Sequence, residues 1–245
     1  MELHILGTAG YHPSETRHTS CVMLPELGIV FDAGTAFFRV RDLLRTKSIN
    51  IFLSHAHLDH VVGLTYLLDV VHEKEIETVR VFGEEEKLAS VRQHLFHPDL
   101  FPVEPPFESH VLTGSVELPS ARVTYKPLQH PGGSVGYRLD LADRSMAYIT
   151  DTTANPENDY GDFIENVDLL LHECNFHDGL EELAKLTGHS CSSSVAHVAK
   201  QSNVGKLVII HQNPLYADNA SVEIETMRSI FQNTVVAHDR MVVEF

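Results

Sequence analysis

Apolar and polar positions alternate along the chain with two different periods. Short segments typical of strands, most of them apolar runs, occur at residues 3–6, 21–24, 28–34, 49–53, 79–82, 122–128, 135–139, 145–149, 168–171 and 206–210. Spacings of three and four, typical of one face of a helix, occur at residues 36–45, 61–71, 84–96, within 191–202 and at 220–231. Because strands and helices interleave throughout, the pattern predicts an α/β fold.

Nothing in the sequence marks a boundary between domains. The chain has no internal repeat, no low-complexity segment and no change of composition that would indicate a linker. Its 245 residues are 43% apolar and 21% charged, which is ordinary for a globular core. We therefore expect a single domain over residues 1–245.

One predicted loop concentrates side chains that bind metals. The strand at residues 49–53 runs directly into the sequence SHAHLDH at residues 54–60, and a helical pattern follows. Residues two apart on an extended backbone point the same way, so His55 and His57 can hold one ion. Asp59 and His60 enter the helix and are displaced enough to serve a second ion. A solvent-facing histidine-rich loop is the alternative, but this spacing at a strand end arises by chance far less often than a lone histidine.

Charge and histidine content narrow the choice of partners. The formal net charge is −16, so a polyanion such as folded RNA would be repelled overall. A small phosphate ester held by metal ions is compatible with that charge, because the ions dominate locally. The 17 histidines are an excess that suggests several metal ligands.

Cysteines and hydropathy add two expectations. Cys21, Cys174 and Cys191 are odd in number and form no C-x-x-C pair, so we expect buried or incidental thiols rather than disulfides or a thiolate zinc site. No apolar stretch approaches the roughly 18 residues that a spanning helix needs, and residues 1–4 lack the features of a signal peptide. We therefore expect a cytoplasmic protein with no membrane partner.

Further short motifs occur before and after the histidine cluster, and their order along the chain is recognisable. They are GT at residues 7–8, RHTS at 17–20, FDAG at 31–34, SHAHLDHVVG at 54–63, QH at 129–130 before GY at 136–137, ITDT at 149–152, HE at 172–173, GHS at 188–190, and IH at 210–211 before Pro214. With these motifs nearly the whole chain resembles the metallo-β-lactamase superfamily, and within it ribonuclease Z and related phosphodiesterases. The resemblance implies a four-layer αββα sandwich with metals at one edge of the two sheets.

The resemblance also implies a set of ligands for two divalent transition-metal ions. One ion would be held by His55, His57 and His130, the other by Asp59, His60 and His211, with Asp151 bridging both. His130, Asp151 and His211 each lie at or just beyond the end of an apolar strand, where loops gather into sites. Zinc is the expected metal, and the same ligand types suit manganese and iron.

A mechanism follows from such a centre. A hydroxide bridging the two metals would be the nucleophile, and Asp59 would orient it and accept its proton. By resemblance to phosphodiesterases, His189 would protonate the leaving alkoxide, with Glu173 fixing its tautomer. His189 has an alternative role as the neighbour of a helix cap at Ser190.

The sequence leaves the roles of two further residues open. Asp32 in the FDAG turn is either a support for the metal ligands or ordinary turn chemistry. His18 lies in the RHTS segment and is either part of the site or a structural histidine. The eleven histidines outside the proposed site, including His12, His18 and His177, are expected in the core or on the surface.

The expected function is a dinuclear metal-dependent phosphodiesterase that acts on a small phosphodiester or nucleotide. The alternatives are hydrolysis of a lactone, thioester or β-lactam, processing of tRNA 3′ ends, and a metal-binding protein without catalysis. Only 20 residues separate His130 from Asp151, whereas ribonuclease Z carries a long tRNA-gripping arm in this interval, so large RNA is not the expected substrate. For the oligomeric state, a homodimer is the common prior.

Overall fold

The computed structural model describes residues 1–155, 160–216 and 221–245. The chain forms two compact units, one of residues 1–113 with 239–244 and one of residues 114–238 with residue 245. Both units combine strands and helices, as the alternating pattern predicts. The prediction of a single domain stays a prediction, and each unit is described separately.

The first unit is built on a mixed seven-stranded sheet. Its strands are β1 (Glu2–Gly7), β2 (Cys21–Leu24), β3 (Ile29–Phe31), β4 (Ser48–Phe52), β5 (Thr78–Gly83), β6 (Glu108–Val111) and, from the end of the chain, β14 (Met241–Glu244). Their order is β14-β1-β2-β3-β4-β5-β6. The pairs from β14 to β3 are antiparallel and those from β3 to β6 are parallel.

The helices of the first unit depart from the predicted α-helices. The segment predicted at residues 36–45 is a 3₁₀-helix, Thr35–Leu43. The pattern at 61–71 becomes α1 (Leu58–Val61), a 3₁₀ segment (Val62–Tyr66) and α2 (Leu67–Val71). The segment at 84–96 becomes α3 (Glu85–Ser90) followed by a π-helical turn, Val91–Leu95.

The spacing of buried residues explains the 3₁₀ geometry. Val61, Leu64, Leu67 and Val70 are all buried and lie three residues apart. A repeat of three matches the three residues per turn of a 3₁₀-helix better than the 3.6 of an α-helix. Together with Phe37 these side chains pack in one core cluster with the buried strands of the sheet.

The second unit has its own mixed seven-stranded sheet. Its strands are β7 (Val116–Leu118), β8 (Ala121–Leu128), β9 (Ser134–Asp140), β10 (Ser145–Ile149), β11 (Leu169–Glu173), β12 (Lys206–Ile210) and β13 (Thr234–Val236). Their order is β13-β12-β11-β10-β9-β8-β7. The pairs from β13 to β10 are parallel and those from β10 to β7 are antiparallel.

The helices of the second unit pack against this sheet. They are a 3₁₀ segment (Asp162–Ile164), α4 (Glu181–Thr187), α5 (Ser192–Gln201) and α6 (Ile224–Ile230). The helix predicted at 220–231 begins at Ile224, and its proposed first residue, Ala220, lies outside the described residues. Val195 and Val198 of α5 and Met227 of α6 join the core cluster that contains Ala147 and Ile149 of β10.

Six elements were absent from the predictions: β6, β7, β13, β14, α4 and the 3₁₀ segment Asp162–Ile164. The four strands are three or four residues long and lie at or beside the sheet edges, and each carries at least one residue that is not fully buried. Such strands form because a neighbouring strand pairs with them, so their own sequence carries little periodicity.

In each sheet several strands run in the same direction, so the loop residues that follow them lie at the same end of the strands. In the first unit β1, β3 and β4 run the same way, so the residues that follow them, including Asp32 and His55, lie at one edge. In the second unit β8, β10, β11 and β12 run the same way, which brings together the segments after Leu128, Ile149, Glu173 and Ile210. Among the described residues, none of the helices has the length and apolar character needed to cross a bilayer.

We expect Gly63→Ala to destabilise the protein by about 1–3 kcal/mol, because it would overpack the junction after α1. A Cβ at Gly63 would lie 2.3 Å from the Gly34 carbonyl oxygen and 2.4 Å from Phe37 Cβ. Gly114→Ala is the matched control, since a Cβ there meets nothing within 4 Å. Urea unfolding of both variants measures the difference, and equal midpoints would contradict this account of the packing.

Candidate functional site

In the first unit, Asp32 organises the loop that carries the histidine cluster. Asp32 follows β3 in a left-handed conformation with φ of 57°. Its carboxylate accepts hydrogen bonds from the Ser54 backbone N–H at 2.7 Å and from the Ser54 hydroxyl at 2.8 Å. Its own backbone N–H donates to the Phe52 carbonyl at 3.0 Å. The FDAG turn is therefore joined directly to the start of the SHAHLDH loop.

The same carboxylate orients His60. Nδ1 of His60 lies 2.7 Å from Oδ2 of Asp32, and both side chains are fully buried. When Nδ1 donates its proton to a carboxylate, Nε2 keeps the lone pair that a metal ligand needs. Nε2 lies 3.3 Å from Oδ2 of Asp59. Asp32 thus contacts the predicted ligand His60 and also joins the turn to the SHAHLDH loop.

The remaining predicted ligands of the first unit lie beside His60. The ring centroid of His55 is 4.4 Å from that of His57 and 4.3 Å from that of His60. His55 is buried, whereas His57 is exposed. Three imidazoles and one carboxylate are thus brought together at the end of β4, a ligand set that suits zinc, manganese or iron.

His18 lies apart from this cluster. Its Nδ1 is 3.2 Å from the Thr35 hydroxyl, its backbone N–H donates to Asp239 at 2.8 Å, and its ring contacts Phe38. Burial lowers the pKa of His18, and the Coulomb effect of Arg39 adds to that decrease. The contacts of His18 make it a structural histidine that braces the loop after β1.

Asp239 is a buried carboxylate that the motifs did not identify. It accepts hydrogen bonds from the backbone N–H and the hydroxyl of Thr8, at 3.1 and 2.8 Å, and pairs with Arg39 at 2.6 Å. It follows the apolar residues 235–237, and a carboxylate just beyond an apolar run is the one signal that would have indicated it. Asp239 connects the end of the chain to the loop that contains His18.

In the second unit, Asp151 lies between two predicted histidine ligands. Oδ2 of Asp151 is 3.6 Å from Nε2 of His130, and Oδ1 is 3.2 Å from Nε2 of His211. All three side chains are at most 3% exposed. One carboxylate oxygen faces each imidazole, which is the arrangement that a bridging ligand requires.

Both Asp151 and His211 adopt a backbone conformation that L-residues avoid. Their φ angles are 47° and 50°, in the left-handed region. Such conformations cost on the order of 1–3 kcal/mol each and concentrate at functional sites. Two hydroxyls fix Asp151, because Thr150 donates to its carboxylate at 2.6 Å and Ser134 donates to its carbonyl at 2.7 Å.

His130 is held in the tautomer that binds metals through Nε2. Its Nδ1 lies 2.9 Å from the Gly188 carbonyl oxygen, to which it donates. Gly188 has φ of 74°, and a Cβ there would lie 2.8 Å from His130 Nδ1, so glycine is required at this close approach. Burial lowers the pKa of His130, although Asp151 opposes the decrease. The imidazole is therefore neutral at neutral pH, which is the state that ligates metals.

The partly buried His189 pairs with the fully buried Glu173 beside these ligands. Nδ1 of His189 lies 3.0 Å from Oε1 of Glu173, which is fully buried and also accepts from the Thr152 N–H at 3.0 Å. The His189 ring centroid is 5.2 Å from that of His130 and 5.3 Å from that of His211. Potential ligand atoms of Asp151, His189 and His211 lie within 4.8 Å of one another. The predicted contact between Glu173 and His189 is thus present.

Other histidines and the cysteines occupy structural positions. His172 is fully buried behind Glu173, where Tyr160 Oη lies 2.8 Å from its Nε2, and burial lowers its pKa. His177 contacts the Asp178 carbonyl at 2.8 Å. All three cysteines are buried, and burial raises the pKa of Cys191 to about 12. These thiols are therefore protonated and unreactive at neutral pH.

Comparison with known proteins supports the predicted fold. A family model described as a beta-lactamase superfamily domain matches residues 28–212. The ribonuclease Z of Lactobacillus johnsonii is 28% identical over 305 aligned positions, which cover 98% of this chain and 97% of the relative. The metallo-beta-lactamase fold protein YhfI of Bacillus subtilis has a TM-score of 0.82 at 19% identity, with 99% of both chains covered. A diphosphatase of the PhnP family has a TM-score of 0.77 at 21% identity, covering 100% of this chain and 96% of that one. The predicted fold class is confirmed.

We expect Asp32→Asn to weaken zinc binding by about 10- to 100-fold, because the amide no longer orients His60 as a ligand. Asp178→Asn is the control, since Asp178 accepts from the Ser193 N–H at 2.9 Å and is not one of the predicted ligands. Calorimetric titration of the apoprotein with zinc measures both affinities. Unchanged affinity in Asp32→Asn, with full affinity in the control, would show that the buried pair has no effect on ligation.

Proposed function

The chain belongs to the beta-lactamase superfamily, a superfamily of metallo-hydrolases, and from that premise we propose that it is a metal-dependent phosphodiesterase acting on small phosphodiesters or nucleotides. The observation that carries the proposal is the contact between His189 and the buried Glu173, next to Asp151 and His211. An imidazole that is oriented by a carboxylate is suited to protonate an alkoxide leaving group.

We propose that seven residues hold a pair of divalent metal ions. They are His55, His57, Asp59, His60, His130, Asp151 and His211, with Asp151 as the bridge. The superfamily membership supports their role as ligands. The donor chemistry fits such ions, because neutral imidazoles with fixed tautomers and buried carboxylates are present in both units. When bound, two such ions lower the pKa of water and stabilise the charge that develops on the phosphate.

Asp59 has the features of a residue that orients a nucleophilic water. Its Oδ2 accepts a hydrogen bond from the Tyr11 backbone N–H at 2.7 Å and lies 3.3 Å from His60 Nε2. These contacts hold Oδ2 of the carboxylate in place. In the proposed function Asp59 holds the attacking water in line and accepts its proton.

His189 is proposed to protonate the leaving group. Because Nδ1 faces Glu173, the proton that reaches the leaving oxygen comes from Nε2. The buried carboxylate stabilises the imidazolium before the transfer and keeps the ring in one tautomer. A substrate without an alkoxide leaving group needs this proton less, which links His189 to ester substrates with poor leaving groups.

Three observations favour a small substrate over tRNA. The residues between His130 and Asp151 form β9, β10 and their turns, with no segment left over for an arm. The alignment with ribonuclease Z spans 305 positions against 245 residues here, so the relative carries at least 60 positions that this chain lacks. A cavity of about 590 Å³ in the second unit includes His130, Gly188, Glu181 and Glu182 in its lining. That volume suits a small ligand, and a lining in which Lys185 stands against Glu181 and Glu182 offers no excess of positive charge to a polyphosphate backbone.

We expect His189→Ala to retain bound metal and to lower kcat by roughly 10²- to 10⁴-fold, the usual contribution of general acid catalysis. The loss should be smaller for nitrophenyl phosphodiesters, whose leaving group needs no proton. His177→Ala is the control. Steady-state kinetics with nitrophenyl and alkyl diesters measures the ratio. Equal losses on both substrates would remove His189 from the acid role, and loss of metal would make it a ligand.

We expect small phosphodiesters to be hydrolysed and precursor tRNA to be cut poorly or not at all. The test is a substrate panel of a chromogenic phosphodiester, a cyclic nucleotide, a precursor tRNA, a lactone, a thioester and a β-lactam. Efficient cleavage of precursor tRNA would contradict the argument from charge and the short 130–151 interval. Turnover confined to the lactone or thioester would overturn the phosphodiesterase proposal in favour of carboxylic-ester hydrolysis.

A further inference from the structure

An exposed aromatic ring lies next to the proposed ligand Asp59. The backbone N–H of Tyr11 donates to Asp59 Oδ2 at 2.7 Å, so the Tyr11 side chain begins two bonds from an atom in contact with that carboxylate. The residue is nevertheless 78% exposed. An aromatic ring left in water is common at a protein surface, but here it is fixed beside a residue of the proposed active site.

The backbone of Tyr11 is strained in a way that produces this placement. Its φ is 61°, in the left-handed region that bulky residues rarely adopt. Glycine or asparagine would adopt this turn at lower cost. The sequence has tyrosine instead, and strain of this kind is retained where the side chain or backbone serves a function.

The loop that presents Tyr11 is braced at both ends. Ala9 N–H donates to the His18 carbonyl at 2.9 Å, and Ser14 N–H donates to the Arg17 carbonyl at 2.8 Å. The Thr8 hydroxyl donates to the buried Asp239 at 2.8 Å and accepts from Arg17 at 2.7 Å. A ring on a braced loop loses little conformational entropy when a ligand covers it.

The surroundings of Tyr11 provide a surface for a flat, apolar group. The His12 ring lies 5.3 Å from the Tyr11 ring at an interplanar angle of 65°, which limits how far Tyr11 can turn. Leu58, which directly precedes Asp59 in the chain, is 68% exposed. Two residues with exposed apolar side chains therefore adjoin Asp59. Tyr11 is connected to it by a hydrogen bond, and Leu58 is its neighbour in the chain.

We propose that Tyr11 is a specificity-determining residue that stacks on a planar ring carried by the substrate, such as a nucleobase. The inference rests on the proposed phosphodiesterase function and deepens it, because it selects nucleotide diesters among small phosphodiesters. Stacking of one base on an aromatic side chain contributes about 1–3 kcal/mol, which corresponds to roughly 5- to 150-fold in affinity. Stacking tolerates any base, so selectivity should favour the presence of a ring rather than its identity.

The binding test uses the absence of tryptophan from the chain. Tyr11→Trp places the chain's only tryptophan at this position, and a ring stacked on it should quench the tryptophan emission that is excited selectively. The metal-loaded variant is titrated with adenosine 5′-monophosphate and with ribose 5-phosphate, which lacks the base. Phe38→Trp, at a side chain that is 41% exposed in the same unit, is the control. Saturable quenching of Tyr11→Trp by the adenosine compound alone supports the proposal, and equal or no quenching by the two ligands overturns it.

The kinetic test compares Tyr11→Leu and Tyr11→Phe on the methyl esters of adenosine 5′-phosphate and ribose 5-phosphate. Tyr11→Leu should raise KM about tenfold for the adenosine ester, leave KM for the ribose ester unchanged, and leave bound metal unchanged. Tyr11→Phe should restore the original KM, because the ring remains. Equal effects on both esters would overturn the proposal. If the unaltered protein cleaves neither ester, the proposed function fails, whereas the fluorescence titration still decides whether Tyr11 stacks.

Discussion

Burial of carboxylates at strand ends is the constraint on which the candidate site depends. Asp32 and Glu173 are fully buried and Asp151 nearly so. A buried carboxylate is costly unless several donors compensate it. Backbone N–H groups, hydroxyls and imidazoles provide those donors here, and each imidazole that does so is held in one position and tautomer. His60 and His189 are placed in this way, by Asp32 and Glu173.

The same edges of the sheets also carry backbone strain. Asp32, Asp151 and His211 each turn through a left-handed conformation directly after or close to a buried strand. Rigid strands permit such strain, because the hydrogen bonds of the sheet cannot yield to relieve one residue. The strained turns bring carboxylate and imidazole groups together at the ends of neighbouring strands. Relaxed turns would direct these groups apart. The positions of the side chains and the strain in the backbone thus have one cause, which is that rigid sheets support short loops.

The sequence predicts those parts whose signal is local. The strands Cys21–Leu24, Ser145–Ile149 and Lys206–Ile210 match their predicted bounds because each is a continuous apolar run. The four predicted ligands at residues 55–60 come together because they share one short loop. By contrast, the role of Asp32 depends on Ser54, 22 residues away, and Asp239 acts on Thr8 from the far end of the chain. Such contacts, like the pairing that forms β13 and β14, exist only in the folded structure. The 3₁₀ segment Val62–Tyr66 accompanies a spacing of three that a helix-face pattern does not separate from 3.6.

We propose that the seven candidate ligands hold two divalent metal ions. Anomalous diffraction at the zinc absorption edge, from crystals of the zinc-loaded protein, tests this directly. We expect two peaks per chain, with Asp151 contacting both, His55, His57 and His130 at one, and Asp59, His60 and His211 at the other. A single peak, or peaks at other residues, would contradict the proposal.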